Sequence, residues 1–276
     1  MLSTPARLMA ASGVVAALLT SAGAVAPAAQ AAGYTCNGLK ATIVGTKGPD
    51  KLKGTEQADV IVSLSGKDHV KGNGGDDVIC LGDAADVADG GAGNDTILAG
   101  AGTDYVSGTE GFDTVQGNGG ADTLFLSAPE GDDVNGGPGD DNVSLAPGPE
   151  GTVSAVGAGG TNQLFLTVGG SGLAIKVDQG TRQITIAGRT GAVGDFGTLS
   201  LSGDHTWTYN GTDAQDALLV GPGPVTASLK GGDDWILTGD ANDSINGGAG
   251  TDTATVGGGS NHCISVETVN GDCPLL

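Results

Sequence analysis

The chain has 276 residues, with 32 Asp and Glu against 11 Lys and Arg, a formal net charge of −21 and a sequence pI of 4.1. So acidic a balance excludes binding along a phosphate backbone, which needs a basic patch to release counterions. It disfavours anionic membrane surfaces for the same reason, and with aromatics at 3 % a sugar-stacking platform is thinly supplied.

Residues 1–31 read as a secretory signal: Arg7 is the positive start, Leu8–Val25 is small and apolar, and Ala29-Gln30-Ala31 fits the small-x-small cleavage rule. Cleavage near Ala31 removes Arg7 and no acid, which takes the net charge from −21 to −22. No later apolar stretch approaches the roughly 20 residues needed to span a bilayer, so the expectation is a soluble protein, secreted to the extracellular side. Of the four cysteines, Cys36, Cys80, Cys263 and Cys273, an even number in an exported chain reads as two disulfides. Three pairings are open; proximity favours Cys36–Cys80 and Cys263–Cys273, while a zinc site is disfavoured by the absence of any CxxC.

Thr42-Ile43-Val44 reads as a first strand, and a nine-residue period then begins. Aspartate falls at Asp50, Asp59, Asp68, Asp77, Asp86, Asp95, Asp104, Asp113 and Asp122, and the phase resumes after a one-residue slip at Asp132 and Asp141. Chance would produce eight successive hits about once in 10⁸, so one small unit is stacked many times. The clearest copies are Gly90-Gly91-Ala92-Gly93-Asn94-Asp95-Thr96-Ile97-Leu98 and Gly136-Gly137-Pro138-Gly139-Asp140-Asp141-Asn142-Val143-Ser144. Glycine crowds the first four places, as a tight turn with positive φ requires. Asp holds the sixth place. The eighth is aliphatic (Leu52, Ile61, Val70, Ile79, Ala88, Ile97, Val106, Val115, Leu124, Val134, Val143), the inward member of a short strand. A turn and a strand make half a coil, so residues eighteen apart should align on one edge of a stack of parallel strands spaced about 4.8 Å.

Carboxylates and turn carbonyls are hard oxygen donors, and a cation that takes six to eight of them flexibly is Ca²⁺ rather than Zn²⁺ or Mg²⁺. The rival is an Asp ladder that only caps turn N–H groups, although such a stack would repel itself. The unit resembles the nonapeptide G-G-x-G-x-D-x-U-x of RTX (haemolysin-type) calcium-binding proteins, over Gly45–Ser144 and again over roughly Gly211–Val256. The resemblance implies an all-β, right-handed parallel β-roll or β-helix solenoid, with several Ca²⁺ held between turns by Asp and turn carbonyls. The strongest matches are Asp77, Asp95, Asp104, Asp113, Asp122, Asp141, Asp234, Asp243 and Asp252; Asp50 and Asp68 share the phase, and the copies ending in Asp59, Asp86 and Asp132 depart from the glycine pattern. Fifth-place Asp76, Asn94, Asp140, Asp233 and Asn242 could add an oxygen or cap the turn. Many RTX proteins carry an enzyme or toxin domain before the repeats, which this chain has no space for, so toxin function does not carry over.

The division expected is signal (1–31), first repeat block (32–145), β-rich middle (146–210), second block (211–256) and C-terminal cap (257–276). The middle lacks the Asp period but alternates as strands in Gln163–Val168, Leu173–Val177, Gln183–Ile186 and Thr198–Leu201. It reads as bare coils or a hairpin insertion in the same stack, or else as a separate small β domain. Copies return at Asp216, skip at Val225 and recur in phase. No nucleophile elbow, HExxH or P-loop is present. His69 reads as solvated, and Trp207, Tyr209 and Trp235 as packing residues. The functional expectation is a secreted, non-catalytic module that folds on binding Ca²⁺, which extracellular modules do at about 10⁻⁴–10⁻³ M. The alternatives are a β-helix lyase, epimerase or hydrolase on acidic polysaccharide, using Lys176, Asp178, Arg182 or Arg189, and a calcium-dependent adhesin or matrix protein.

Overall fold

The computed structural model describes residues 33–108, 110–127 and 129–274. The signal reading falls on residues 1–31, outside the described residues. Among the described residues there is no α-helix; the strands form a 12-stranded sheet, a 14-stranded sheet and an N-terminal antiparallel pair.

Each half-coil is a glycine turn followed by a short strand, and consecutive strands go to opposite sheets. Lys51–Lys53, His69–Gly74, Val87–Ala92, Tyr105–Gly108, Thr123–Leu126 and Asn142–Leu145 enter the 12-stranded sheet. Ile43–Val44, Val60–Val62, Val78–Asp83, Thr96–Ala101, Thr114–Gly119 and Gly131–Pro138 enter the 14-stranded one. All these neighbours are parallel, in a register of eighteen before the slip and nineteen across it: Val78 lies beside Thr96 and Ile79 beside Ile97. The one-residue slip is absorbed without breaking either sheet, since Thr114 pairs with Asp133 and Thr123 with Asn142.

Strand alternation puts the eighth-place aliphatics between the sheets, where Leu52 through Val143 are 0–2 % exposed. At roughly 1.5–3 kcal/mol for each fully buried Val, Leu or Ile, this thin column is the main apolar contribution to the fold. The core runs unbroken from Ile43 to Cys273. Its other inward row is the first place of each copy, occupied by Leu81, Ala99, Leu126 and Leu145 or by glycine.

Residues 146–210 stay in the stack. In the 12-stranded sheet Gln163–Thr167 pairs directly with Thr198–Ser202. On the opposite side Arg189–Gly194 runs parallel to Thr152–Gly159, Gln183–Ile186 turns back antiparallel, and Ala174–Asp178 runs parallel to Thr206–Asn210. This meander adds the two strands by which the sheets differ, and its Ile175, Val177, Ile184 and Ile186 join the common core. Trp207 and Tyr209 are buried there; Trp235 lies half-buried on a strand of the other sheet, so the three do not group.

Both ends are clipped. The pair Thr35–Cys36 and Leu39–Lys40 folds with Ala41 over Val44 and Val62, against partly buried Val60, Val78 and Leu98, and Cys36–Cys80 holds it there. Cys263–Cys273 closes the last coil. Of the three pairings open to the sequence, the structure takes the one that proximity favours. No helix among the described residues is long and apolar enough to cross a membrane.

Candidate metal centre

Each repeat Asp stands between a turn and the strand that follows it, and the eighteen-residue register stacks these positions into two ladders. Before the 12-stranded sheet come Asp50, Asp68, Asp86, Asp104, Asp122 and Asp141; before the 14-stranded sheet come Asp59, Asp77, Asp95, Asp113 and Asp132. Within a ladder every backbone N–H donates to Oδ1 of the next Asp. Asp59 to Asp77 is 2.7 Å, Asp77 to Asp95 and Asp95 to Asp113 are 2.9 Å, Asp113 to Asp132 is 3.0 Å. The other ladder repeats this at 2.8–2.9 Å from Asp50 to Asp141. In the second block Asp216 leads to Asp234 and Asp252 at 2.8 and 3.0 Å. Val225, where the period skips, still donates to Asp243 at 3.0 Å.

Oδ1 therefore does the turn-capping work of the bland alternative. Oδ2 does not. In Asp68, Asp77, Asp86, Asp95, Asp104, Asp113, Asp122, Asp141, Asp234 and Asp252 this oxygen is buried without a hydrogen-bond partner, on side chains at most 2 % exposed. Leaving a buried carboxylate oxygen unsatisfied costs about 1–3 kcal/mol or more, so ten of them stacked along two edges call for a compensating charge. The oxygen lies over its own turn: a Cβ at Gly72, Gly90 or Gly136 would collide with Oδ2 of Asp77, Asp95 or Asp141. Turn carbonyls stack alongside, for a Cβ at Gly93 or Gly102 would meet the carbonyl oxygen of Gly75 or Ala84 one coil back. The fifth-place residues cap the neighbouring coil: Oδ1 of Asp76, Asn94, Asp140, Asp233 and Asn242 accepts the N–H of Asn94, Phe112, Thr161, Thr251 and Ser260 at 2.7–2.8 Å.

Among the described residues no three His, Cys, Asp or Glu side chains converge. A cation in this column would meet one carboxylate per turn and would draw its other donors from backbone carbonyls. That is an all-oxygen set, which fits Ca²⁺ and does not fit Zn²⁺.

Burial also raises the pKa values of these carboxyls. Burial, with added repulsion from neighbouring carboxylates, pushes Asp86 and Asp95 up to about 7 and Asp122 and Asp234 to about 6, although the ladder N–H bonds pull the other way. Asp86, a departing copy by its glycines, thus has the same open oxygen as the strong copies, whereas Asp243, a strong one, has Oδ2 capped by Thr238 Oγ1 at 2.5 Å.

Three ladder positions escaped the sequence reading, one of them Glu267, whose Oε2 accepts the N–H of Asp252 at 2.7 Å. Asn162 accepts the N–H of Asp141 at 2.9 Å and Asn261 that of Asp243 at 3.0 Å. Gly157-Ala158-Gly159-Gly160-Thr161-Asn162 is a repeat copy whose sixth place is amide, and its glycines were the available signal. The charged residues of the middle segment are spent separately. Lys176 faces Asp178 at 3.5 Å, Arg182 bonds Asp195 at 2.8 Å, and Arg189 bonds Glu150. Asp178 is held down at about 2, chiefly by the Asn210 amide.

A family model described as the RTX calcium-binding nonapeptide repeat (4 copies) matches residues 42–70, 53–88, 81–115, 98–128 and 230–263. No curated protein matches the chain.

Proposed function

The chain belongs to the RTX calcium-binding nonapeptide-repeat family, and on that premise we propose that it is a secreted, non-catalytic β-solenoid whose fold Ca²⁺ completes. The observation that carries this reading is the set of ten buried Asp Oδ2 atoms without a partner, stacked along the two edges. Asp68, Asp77, Asp86, Asp95, Asp104, Asp113, Asp122, Asp141, Asp234 and Asp252 would hold the ions together with turn carbonyls. Bound calcium would neutralise the column, and because the ladder exists only in the folded chain, its binding energy is folding energy. One site occupied at a hundred times its Kd stabilises the fold by about 2.7 kcal/mol. Extracellular calcium is high enough to fill sites of the usual extracellular affinity and cytosolic calcium is not, which suits folding after export. Two disulfides fit the same oxidising location. The separate pairing of Lys176, Asp178, Arg182 and Arg189 speaks against a catalytic cluster there.

The test is far-UV circular dichroism of the mature chain after chelation, with Ca²⁺ titrated in and Mg²⁺ as control. A cooperative, calcium-selective gain of β signal is expected. A spectrum already complete in chelator and indifferent to calcium would sink the reading.

The adhesin alternative has one observation behind it. Phe125 and Phe165 lie at the same register position two strands apart, 46 % and 42 % exposed, on the outer face of the 12-stranded sheet, with Tyr105 (43 %) nearby. Retention on cells in calcium, abolished by Phe125→Ser with Phe165→Ser but not by Asp95→Asn, distinguishes it from a purely structural role.

A further inference from the structure

The repeat turns fall into two conformational classes, and the dividing feature is the second residue of each turn. Leu64, Asn73, Gly82, Gly91, Gly100, Asn118, Gly137, Lys230 and Gly248 all have φ between +67° and +109°. The Asp four residues on from each (Asp68, Asp77, Asp86, Asp95, Asp104, Asp122, Asp141, Asp234, Asp252) is one whose Oδ2 has no partner. Thr46, Thr55 and Thr212 occupy the same place and stay out of that region. Their N–H instead donates to Oδ2 of Asp50, Asp59 and Asp216 at 2.5, 2.7 and 2.9 Å, and the hydroxyls of Thr46 and Thr55 add a second bond at 2.9 Å. A β-branched residue is a poor occupant of positive φ, so threonine tips the turn toward the closed form. Asp113 Oδ2 also has no partner, and the second residue of its turn, Thr109, lies outside the described residues.

The closed turns stand where each block begins, and two later turns are closed in another way. At Asn162 the turn is open, with Ala158 at φ +68°, yet the sixth residue is an amide. Its Nδ2 donates to the carbonyls of Gly159 and Asp195 at 3.3 and 3.2 Å. Asn261 Nδ2 does the same to Gly257 and Asp272 at 3.1 and 3.2 Å. A donor therefore sits where each Asp of the column presents a bare oxygen, and carbonyls face that place.

Resting on the calcium reading above, we propose that the chain itself writes which turns take an ion: turns that satisfy themselves, at Asp50, Asp59, Asn162, Asp216, Asp243 and Asn261, take none, and calcium is confined to the open Asp turns. The self-satisfied turns are folded without calcium, and the interior is completed by it. One consequence is asymmetry in the second block. There the edge before the 14-stranded sheet carries Val225, Asp243 capped by Thr238, and Asn261, so calcium lies only on the opposite edge, at Asp234 and Asp252.

The experiment is native mass spectrometry of the mature protein loaded with Ca²⁺, counting ions, alongside melting in chelator. Thr55→Gly, which lets the turn enter positive φ, and Asn162→Asp, which replaces the amide donor by an oxygen, should each bind one ion more than wild type. Asp95→Asn should bind one ion fewer and yet melt higher in chelator than wild type, a gain that a merely damaged turn does not give. Unchanged counts in folded Thr55→Gly and Asn162→Asp, or a lower chelator melting point for Asp95→Asn, overturn the proposal. A wild-type protein that binds no calcium fails the functional reading itself, which the same spectra separate from failure of the sorting.

Discussion

At the residue scale the protein turns on one carboxylate with two oxygens in unlike surroundings. Oδ1 of Asp95 takes the N–H of Asp77 at 2.9 Å, while Oδ2 is buried and bare. Without calcium the folded chain prefers this group protonated, because burial lifts it to about 7 from the 3.8 of a free side chain. The sign follows from proton linkage. A folded-state value above the unfolded one means that the native chain binds more protons between the two, so stability is full below about pH 4 and falls as pH rises toward 7. Asp86, at about 7, and Asp113, Asp122 and Asp234, at about 6, add to the same window. The chelated protein should therefore melt higher at pH 5 than at pH 8, and with calcium the order should reverse as protons compete for the same oxygen. Equal chelator melts at both pH values would show that the ladder does not titrate in this range. Glycine supplies the complementary case. Gly91 sits at φ +101°, and a Cβ there would strike the Asn73 carbonyl. Gly91→Ala should cost at least the roughly 1–2 kcal/mol of a left-handed non-glycine residue, read as a lower urea midpoint in calcium.

At the scale of elements, the half-coil of turn plus three-residue strand is too small to bury anything alone. It is stabilised only by the copies on either side. The first and last coils lack one neighbour, and there the chain uses covalent links. The Cys36–Cys80 bridge spans 44 residues and pins the N-terminal pair over the outer face of the 14-stranded sheet. Cys36→Ser with Cys80→Ser should lower stability by about 4 kcal/mol on the loop-entropy estimate. In hydrogen exchange the loss of protection should be strongest over residues 35–80. Uniform loss along the chain would instead mean that the bridge acts on the unfolded state alone. The meander of residues 174–194 shows a different tolerance. Two extra strands enter one sheet while the other passes straight on, because parallel pairing is restored on both flanks.

On the scale of the whole molecule, a net charge of −21 is borne by a fold whose acids are concentrated in two files. Self-repulsion and a thin apolar core leave the calcium-free chain with little to hold its interior coils. Much of this was legible beforehand. The ninefold Asp period, the aliphatic eighth place and the glycine crowding specify coil length, inward row and turn. They do so because each is a local rule repeated, and repetition makes a weak local signal strong. Even the one-residue slip before Asp132 was visible as a longer coil. Asn162 and Asn261 stayed hidden, since an amide at the sixth place breaks the carboxylate count while keeping the ladder bond, and so did Glu267, which lies 15 residues from Asp252 and out of the period.

By itself the sequence determined the period, the oxygen-only donor chemistry, the acidic character and the even cysteine count, all of which follow from residue type and spacing. Only the tertiary structure decided which carboxylate oxygens are bare. That depends on whether the second residue of a turn takes positive φ and on what the next coil, eighteen to twenty-one residues away, places against it. Asp59 and Asp77 share the sixth place of the same repeat. The first is closed by Thr55 and the second left open beneath Asn73, a difference settled by backbone geometry and stacking rather than by the aspartate itself.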